Sequence, residues 1–177
     1  METFRFATED DFGALLSLDA SVYPPEWQVT MDFVKTAWER NNEIYRVLEN
    51  EVGIQGFLAF FGLDQESFEM YLVGELDEKE LCHHIVPYKK GNQVYLYLAT
   101  MVVNQQHQNK RLFGKRIIQE IQKEINRVRA IGCIVPEIGA IAITTDGKRV
   151  LDRSALRNCG EYASDPSSTV YRGKDFQ

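Results

Sequence analysis

The sequence predicts an α/β domain built on a mixed sheet, and three observations carry that prediction. Residues 93–103 (QVYLYLATMVV) are apolar on both faces, as a strand in the middle of a sheet must be. From Gly114 to about Ala130, Ile117, Ile118, Ile121, Ile125 and Val128 share one helical face, with Gln, Glu, Lys and Arg opposite. Residues 138–145 (IGAIAITT) form a second buried strand. Two central strands joined through a helix must lie parallel, with a right-handed crossover.

The remaining elements follow in order. Residues 3–7 alternate as a short strand, and Thr8-Glu9-Asp10-Asp11 opens a helix whose apolar face is Phe12, Leu15 and Leu16. The two prolines of VYPPEW end it. Thr30 caps a second helix bearing Met31, Val34 and Trp38, which stops at Asn41-Asn42. IYRVLEN and VGIQGFLAFFGL read as an antiparallel hairpin about a turn at Glu49 to Glu51. Residues 64–92 run acidic and then basic with two short helical pieces, Asp77 and Glu80 forming a capping pair at the second. That segment is expected to be an insertion or lid. Asp146-Gly147 opens a short helix, and NCGEYASDPSSTVYRG gives two strands about an Asp-Pro-Ser-Ser turn. With no repeat, linker or low-complexity tract, one domain over 1–177 is expected.

Composition narrows function. A net charge of −6 argues against a general nucleic-acid or anionic-membrane surface. No apolar run has the length of a membrane span. Three scattered cysteines (Cys82, Cys133, Cys159) and an N-terminus without an apolar core predict reduced thiols in the cytoplasm. Cys82-His83-His84 and His107 lack ligand spacing, so no metal is expected.

The segment NQQHQNKRLFGKRIIQEI (104–121) sits between the most apolar strand and the clearest amphipathic helix. A phosphate-binding Walker loop fails there, because Asn109 stands at its first Gly and Arg116 at its Ser/Thr. The order of strands and helices, with Gln55-Gly56-Phe57 ending a hairpin, YLYLATMVV, NQQHQNKRLFGKRII and IAITTDGKRVLDRSALRNCGEY, resembles the GNAT acyltransferase superfamily over nearly the whole chain. The acyl-coenzyme A loop of that family, Arg or Gln, two residues, Gly, one residue, Gly or Ala, has its counterpart here with one residue added. Arg111 and Phe113, or Asn109 and Leu112, take positions usually held by others.

The resemblance implies a mostly antiparallel sheet with a splayed parallel central pair and flanking helices. It implies direct attack by a small-molecule amine on an acyl-coenzyme A thioester, with acetyl-CoA as the expected donor. The thioester would meet backbone groups of Met101, Val102 and Val103. The diphosphate would meet Gln108, Asn109, Lys110, Arg111, Leu112, Phe113, Gly114 and Lys115 at a helix N-terminus, where free N–H groups favour anions. An ammonium must lose a proton before attack, and Glu137 precedes the fifth strand as one acceptor; His83, His84, Glu69 and Glu75 are others. The family's tyrosine acid falls on Leu151, leaving Tyr97, Tyr162 and Tyr171 as substitutes. Tyr23, Trp27, Phe33 and Trp38 would wall the acceptor site. Self-association as a homodimer stays open, as does the alternative of a catalytically silent ligand- or protein-binding module.

Overall fold

The parallel central pair is present in the computed structural model, which describes all 177 residues. The elements run β1 (Thr3–Phe6), α1 (Phe12–Val22), α2 (Met31–Arg40), β2 (Tyr45–Asn50), β3 (Gly53–Leu63), α3 (Gln65–Leu72), α4 (Glu78–Leu81), β4 (Tyr95–Val103), α5 (Lys110–Ile131), β5 (Ile138–Ala142), α6 (Thr145–Asp152), β6 (Arg157–Tyr162) and β7 (Asp165–Gly173). One sheet has the order β1-β2-β3-β4-β5-β7-β6, antiparallel throughout except between β4 and β5.

Two apolar layers cover the sheet. On one face, α1 to α4 pack Leu15, Phe33, Val34, Phe68 and Tyr71 against Val47, Phe61 and Tyr97. On the other, Phe113, Ile117, Ile121 and Ile125 of α5 and Leu151 of α6 pack against Leu58, Leu96, Leu98 and Ala140. The alternation of neighbours along β4 between these layers is the period of two that its continuous apolar run conceals. Residues 64–92 are anchored in the first layer, with Phe68, Tyr71, Leu81 and Ile85 fully buried.

β4 and β5 pair only at Leu96↔Ile138, Tyr97↔Gly139 and Leu98↔Ala140. Ala99 is then an extra residue: Phe60 of β3 opposes Leu98 and Ala59 opposes Thr100. Such a bulge bends its strand and increases its twist. Beyond it, β4 continues to Val103 with nothing paired on its β5 side, so the two strands splay. The opposite end is held shut. Arg172 on β7 binds Glu137 through Nε (2.7 Å) and Glu69 of α3 through Nη1 (2.9 Å), and Leu96 N–H donates to the Glu137 carbonyl (3.1 Å).

Several details differ from the sequence reading. β2 runs on through Glu49 and Asn50, so the hairpin turn is Glu51-Val52. Helix α5 starts at Lys110, not Gly114, because Lys, Arg and Leu are good helix formers and one interior Gly is tolerated. The turns before it are closed by side chains: Asn104 Oδ1 accepts from the Gln106 N–H and His107 Nδ1 from the Asn109 N–H, each at 3.0 Å. β5 stops at Ala142, since Thr144 becomes the cap of α6 by accepting the Gly147 N–H at 3.0 Å. The β6–β7 turn is Ala163-Ser164, while Asp165 folds Ser167 and Ser168 onto its own carboxylate at the start of β7. Asp77 caps α4 through the Lys79 N–H (2.9 Å) without a return bond from Glu80.

Gly56 is required by the close approach of β3 to β4. A Cβ there would lie 2.7 Å from the Val102 carbonyl oxygen, so backbone must move. Gly56→Ala is expected to lower stability by about 1–3 kcal/mol, read from the urea midpoint of unfolding.

Candidate active site

The splay leaves a cleft of about 170 Å³ between β4 and β5, floored on one side by α5 and α6. Its walls are mostly apolar: Leu98 to Val103, Ile117 and Ile118, Ala140 to Ile143, Val150 and Leu151. The cleft contains no Lys, Arg or His.

The ladder sets which amides face the gap. Asn104 N–H donates to the Gln55 carbonyl (2.8 Å), and hydrogen-bonded pairs alternate with non-bonded ones along an antiparallel ladder. Counting back through Val103↔Gly56, Val102↔Phe57 and Met101↔Leu58, the Val102 amide faces β3. The amides of Met101 and Val103 face away from it, into the gap. The Met101 N–H lies against the Tyr23 hydroxyl oxygen, which also shares a 2.9 Å hydrogen bond with Thr100 Oγ1. Enclosure pushes the Tyr23 hydroxyl up to about 12, so it stays protonated at neutral pH.

At the far end of the cleft stands the α5 N-terminus. The Arg111 and Leu112 N–H groups donate to no protein acceptor, whereas Phe113 N–H is already bonded to the Asn109 carbonyl (3.1 Å). The side chains of Lys110, Arg111 and Lys115 are exposed and pair with no acid; Arg116 is held by Glu2 at 2.7 Å. Gly114 lies in the second helical turn and lines the cleft, and a Cβ on it would meet nothing within 4 Å. Gly114 thus leaves room beside the exposed amides, which is what an anionic group approaching a helix end needs. Phe113 is fully buried and stacks on His107 at 4.8 Å, so its side chain belongs to the core.

The expected site residues therefore divide. Met101, Val103 and Gly114 line the cleft, the first two with their amides turned into it; Val102 lines it with its amide turned to β3. Gln108, Asn109, Lys110, Arg111, Leu112 and Lys115 lie at the N-terminal end of α5, and none of them lines the cleft, which α5 reaches through Gly114, Ile117 and Ile118. Tyr97, Glu137 and Tyr162 are not brought to it. Tyr97 is buried with its hydroxyl 3.3 Å from that of Tyr71, Tyr162 donates to the Tyr71 carbonyl (3.0 Å), and Glu137 is held by Arg172 at the closed end. Tyr171 is also buried, donating to Asp152. Trp38 packs on Phe12 and donates to the Ala7 carbonyl (3.1 Å), while Tyr23, Trp27 and Phe33 line a second cavity.

That cavity was not legible in the sequence. It is a narrow chamber of about 30 Å³ on the opposite face of the sheet from α5, sharing Tyr23, Ala99, Thr100 and Ile143 with the lining of the cleft. Its aromatic walls enclose two carboxyls, Asp19 and Glu78. Asp19 is 5% exposed, and its Oδ2 accepts the Val29 N–H (3.2 Å). Neither acid forms an ion pair. Burial pushes Asp19 up to about 6, against the Val29 bond. Burial, then the charges of Asp19 and Asp77, push Glu78 up to about 8. The two interact, so near neutral pH the pair holds roughly one proton and one negative charge. The readable signal was Asp19 itself, which continues the Phe12–Leu15 stripe of α1 toward Tyr23 where an apolar residue belongs.

An acid whose folded pKa is raised stabilises the fold below its unfolded pKa and loses that contribution as pH rises through the folded value. For Asp19 the window runs from about 3.8 to about 6. Asp19→Asn should leave stability nearly unchanged at pH 3.5 and raise it by about 1–3 kcal/mol at pH 8, measured by urea unfolding at both pH values.

No family profile and no curated protein matches the chain by sequence. Solved structures do match in shape. The loading GNATL domain of CurA from Lyngbya majuscula superposes with a TM-score of 0.71 at 12% identity, over 99% of this chain and 98% of that one. NAA60 of Arabidopsis thaliana, solved with acetyl-CoA, gives 0.66 at 16% identity over 98% and 99%. The GphF GNAT-like decarboxylase, solved with isobutyryl-CoA, gives 0.65 at 12% identity over 97% and 98%. With its mostly antiparallel sheet, splayed parallel pair and flanking helices, the chain has the fold of the GNAT superfamily.

Proposed function

We propose that this chain transfers a short, uncharged acyl group, acetyl first among them, from a coenzyme A thioester to an amine. The observation that carries the reading is the open β4–β5 gap with the Met101 N–H aimed into it. Solved structures of the same fold hold acetyl-CoA and isobutyryl-CoA, which supports a thioester as the ligand of such a gap.

In this reading the diphosphate meets the free Arg111 and Leu112 amides, with Lys110, Arg111 and Lys115 as unpaired cations beside it. The pantetheine arm runs along the unpaired edge of β4, using the outward amide of Val103. The thioester carbonyl accepts from the Met101 N–H, a donor aimed where negative charge grows as the carbonyl becomes tetrahedral. The amine arrives as an ammonium and gives one proton to the Asp19–Glu78 pair, whose combined affinity lies near working pH. Its nitrogen attacks the carbonyl carbon, and the carbon–sulfur bond breaks. Tyr23 gives its hydroxyl proton to the departing sulfur and recovers one from the new amide nitrogen, so the products are an amide and the free thiol. Tyr23 thus takes the part for which Leu151 is unfit.

Decarboxylation, the chemistry of GphF, is disfavoured by the same residues. Its substrates carry a carboxylate on the acyl group. Here that charge would face Asp19 and Glu78 with no Lys, Arg or His in cleft or chamber. The acids favour a cation as the second substrate.

Isothermal titration with acetyl-CoA, followed by thiol release with a panel of amines, tests the reading. Binding and amine-dependent release are expected; heat-silent titration at millimolar ligand would remove the proposal. Binding with no release on any amine would favour the silent binding module. Gly114→Leu should weaken acetyl-CoA binding by roughly tenfold or more, since its side chain fills the cleft while the helix accepts it. Circular dichroism unchanged from the parent confirms that loss of binding is local.

A further inference from the structure

The chamber does not end at Asp19. It shares Trp27 and Glu78 with a surface basin of about 620 Å³ on the same side of the sheet. The basin adds Glu26, Glu75, Asp77 and Asp165, and neither basin nor chamber contains a Lys or Arg. All the ion pairs of the chain lie elsewhere, so none of these six carboxyls has a cationic partner. Asp165 is not idle: its oxygens bind Ser167 (2.6 Å), Ser168 (2.7 Å) and the Trp27 Nε1–H (3.2 Å). That last bond fixes the Trp27 ring, tilted 42° to that of Tyr162 at 6.2 Å, as one wall of the neck.

The route has three zones in series. Asp19 lies inside, beside the cleft, with one carboxylate oxygen (Oδ1) unbonded and the residue 5% exposed. Aromatic rings of Tyr23, Trp27, Phe33 and Phe61 line a narrow chamber of about 30 Å³. Carboxylates line the mouth and the basin outside. Buried acids without a cation raise the free energy of the empty protein, and a guest that supplies the cation removes that cost. A basin of one sign also concentrates ions of the other.

Resting on the transferase reading above, we infer that the acceptor is a linear aliphatic diamine or polyamine. It threads the Trp27–Glu78 neck with its reacting nitrogen toward Asp19 and a second charged nitrogen held in the basin by Glu75 and Asp77. The methylene run lies against the aromatic walls, and cationic nitrogens flank it where the carboxyls flank the passage. A lysine side chain presented on a peptide has the same reactive arm but offers amides, not a cation, at its other end. The free polyamine is therefore the better match to the basin. The Asp19–Glu78 pair accepts the proton of the reacting ammonium, and the second nitrogen stays protonated throughout.

Three probes of matched reach separate the possibilities: 1-aminopentane, 1,5-diaminopentane and Nα-acetyl-lysine amide, with spermidine as a longer polyamine. Calorimetry first measures each amine against the full chain in the absence of donor, so that the result does not depend on turnover. The diamine and spermidine are expected to bind at least tenfold more tightly than the monoamine, with an advantage that shrinks as salt rises. The same order is expected in kcat/KM for thiol release from acetyl-CoA. In the isosteric double variant Glu75→Gln with Asp77→Asn, the ratio of diamine to monoamine should fall toward one; the amide at position 77 retains the oxygen that caps α4. Equal binding of mono- and dications, failure of the diamine to bind at millimolar concentration, or a ratio unchanged in the double variant would each overturn the inference. So would a lysine amide that outperforms the diamine. Should acetyl-CoA itself fail to bind while the diamine does, the transferase reading falls and the cation site remains.

Discussion

Everything in this architecture depends on where the hydrogen bonding between β4 and β5 stops. Three residue pairs hold the strands together, and the bulge at Ala99 ends the register. An unpaired N–H within a sheet is costly when it is buried away from any acceptor. Here the cost is limited because the unpaired stretch borders a cavity. Opening is confined by the other end: Arg172 ties Glu69 and Glu137 together, so β7, β5 and α3 move as one body there. A sheet pinned at one end and bent at the other gives a wedge whose width changes steadily along its length. A broad group fits at the mouth and a thin chain farther in.

The wedge also opens the sheet from face to face. Most sheets separate their two layers completely, and a molecule on one side cannot touch one on the other. In this chain the missing pairs at Thr100 to Val103 bring the cleft on the α5 face and the chamber on the α1 face to the same residues, Tyr23, Thr100 and Ile143. On the transferase proposal, the acids of α1 and α4 would then act on a ligand resting against α5 and α6. Keeping Asp19 and Glu78 in that chamber lowers stability at neutral pH. Groups retained at such a cost, inside a cavity and free of ion pairs, are the usual mark of a working site.

How much of this the sequence discloses varies with the range of the interaction. The parallel pair was legible because QVYLYLATMVV and IGAIAITT are apolar on both faces and a period of 3.6 runs between them. The start of α5 was misplaced because a Gly in a basic stretch reads as loop, and nothing local says that Asn104 and His107 close the preceding turns. The sequence groups Met101, Val102 and Val103 at the end of one strand, and that the Met101 and Val103 amides face the gap while the Val102 amide faces β3 follows only from the ladder register. Asp19 and Glu78 were missed for a different reason. Glu78 looks like an ordinary helical acid and Asp19 is marked only by its place on the apolar stripe of α1; the packing of α1, α2 and α4 around one cavity is what brings the two together. Tyr97, Tyr162 and Glu137 attracted notice by residue type and position, and their hydroxyls and carboxylate serve Tyr71 and Arg172 instead.

The two faces of the sheet each have their own door. On the transferase proposal, a donor lodged along α5 would not block the basin above α4, and an amine in the chamber would not block the donor. Both molecules can therefore be resident together, and neither must leave its product behind on a protein side chain for the other to collect. Initial-rate lines at varied donor should then converge for different amine concentrations rather than run parallel. That kinetic signature would come from a ladder that stops after three rungs.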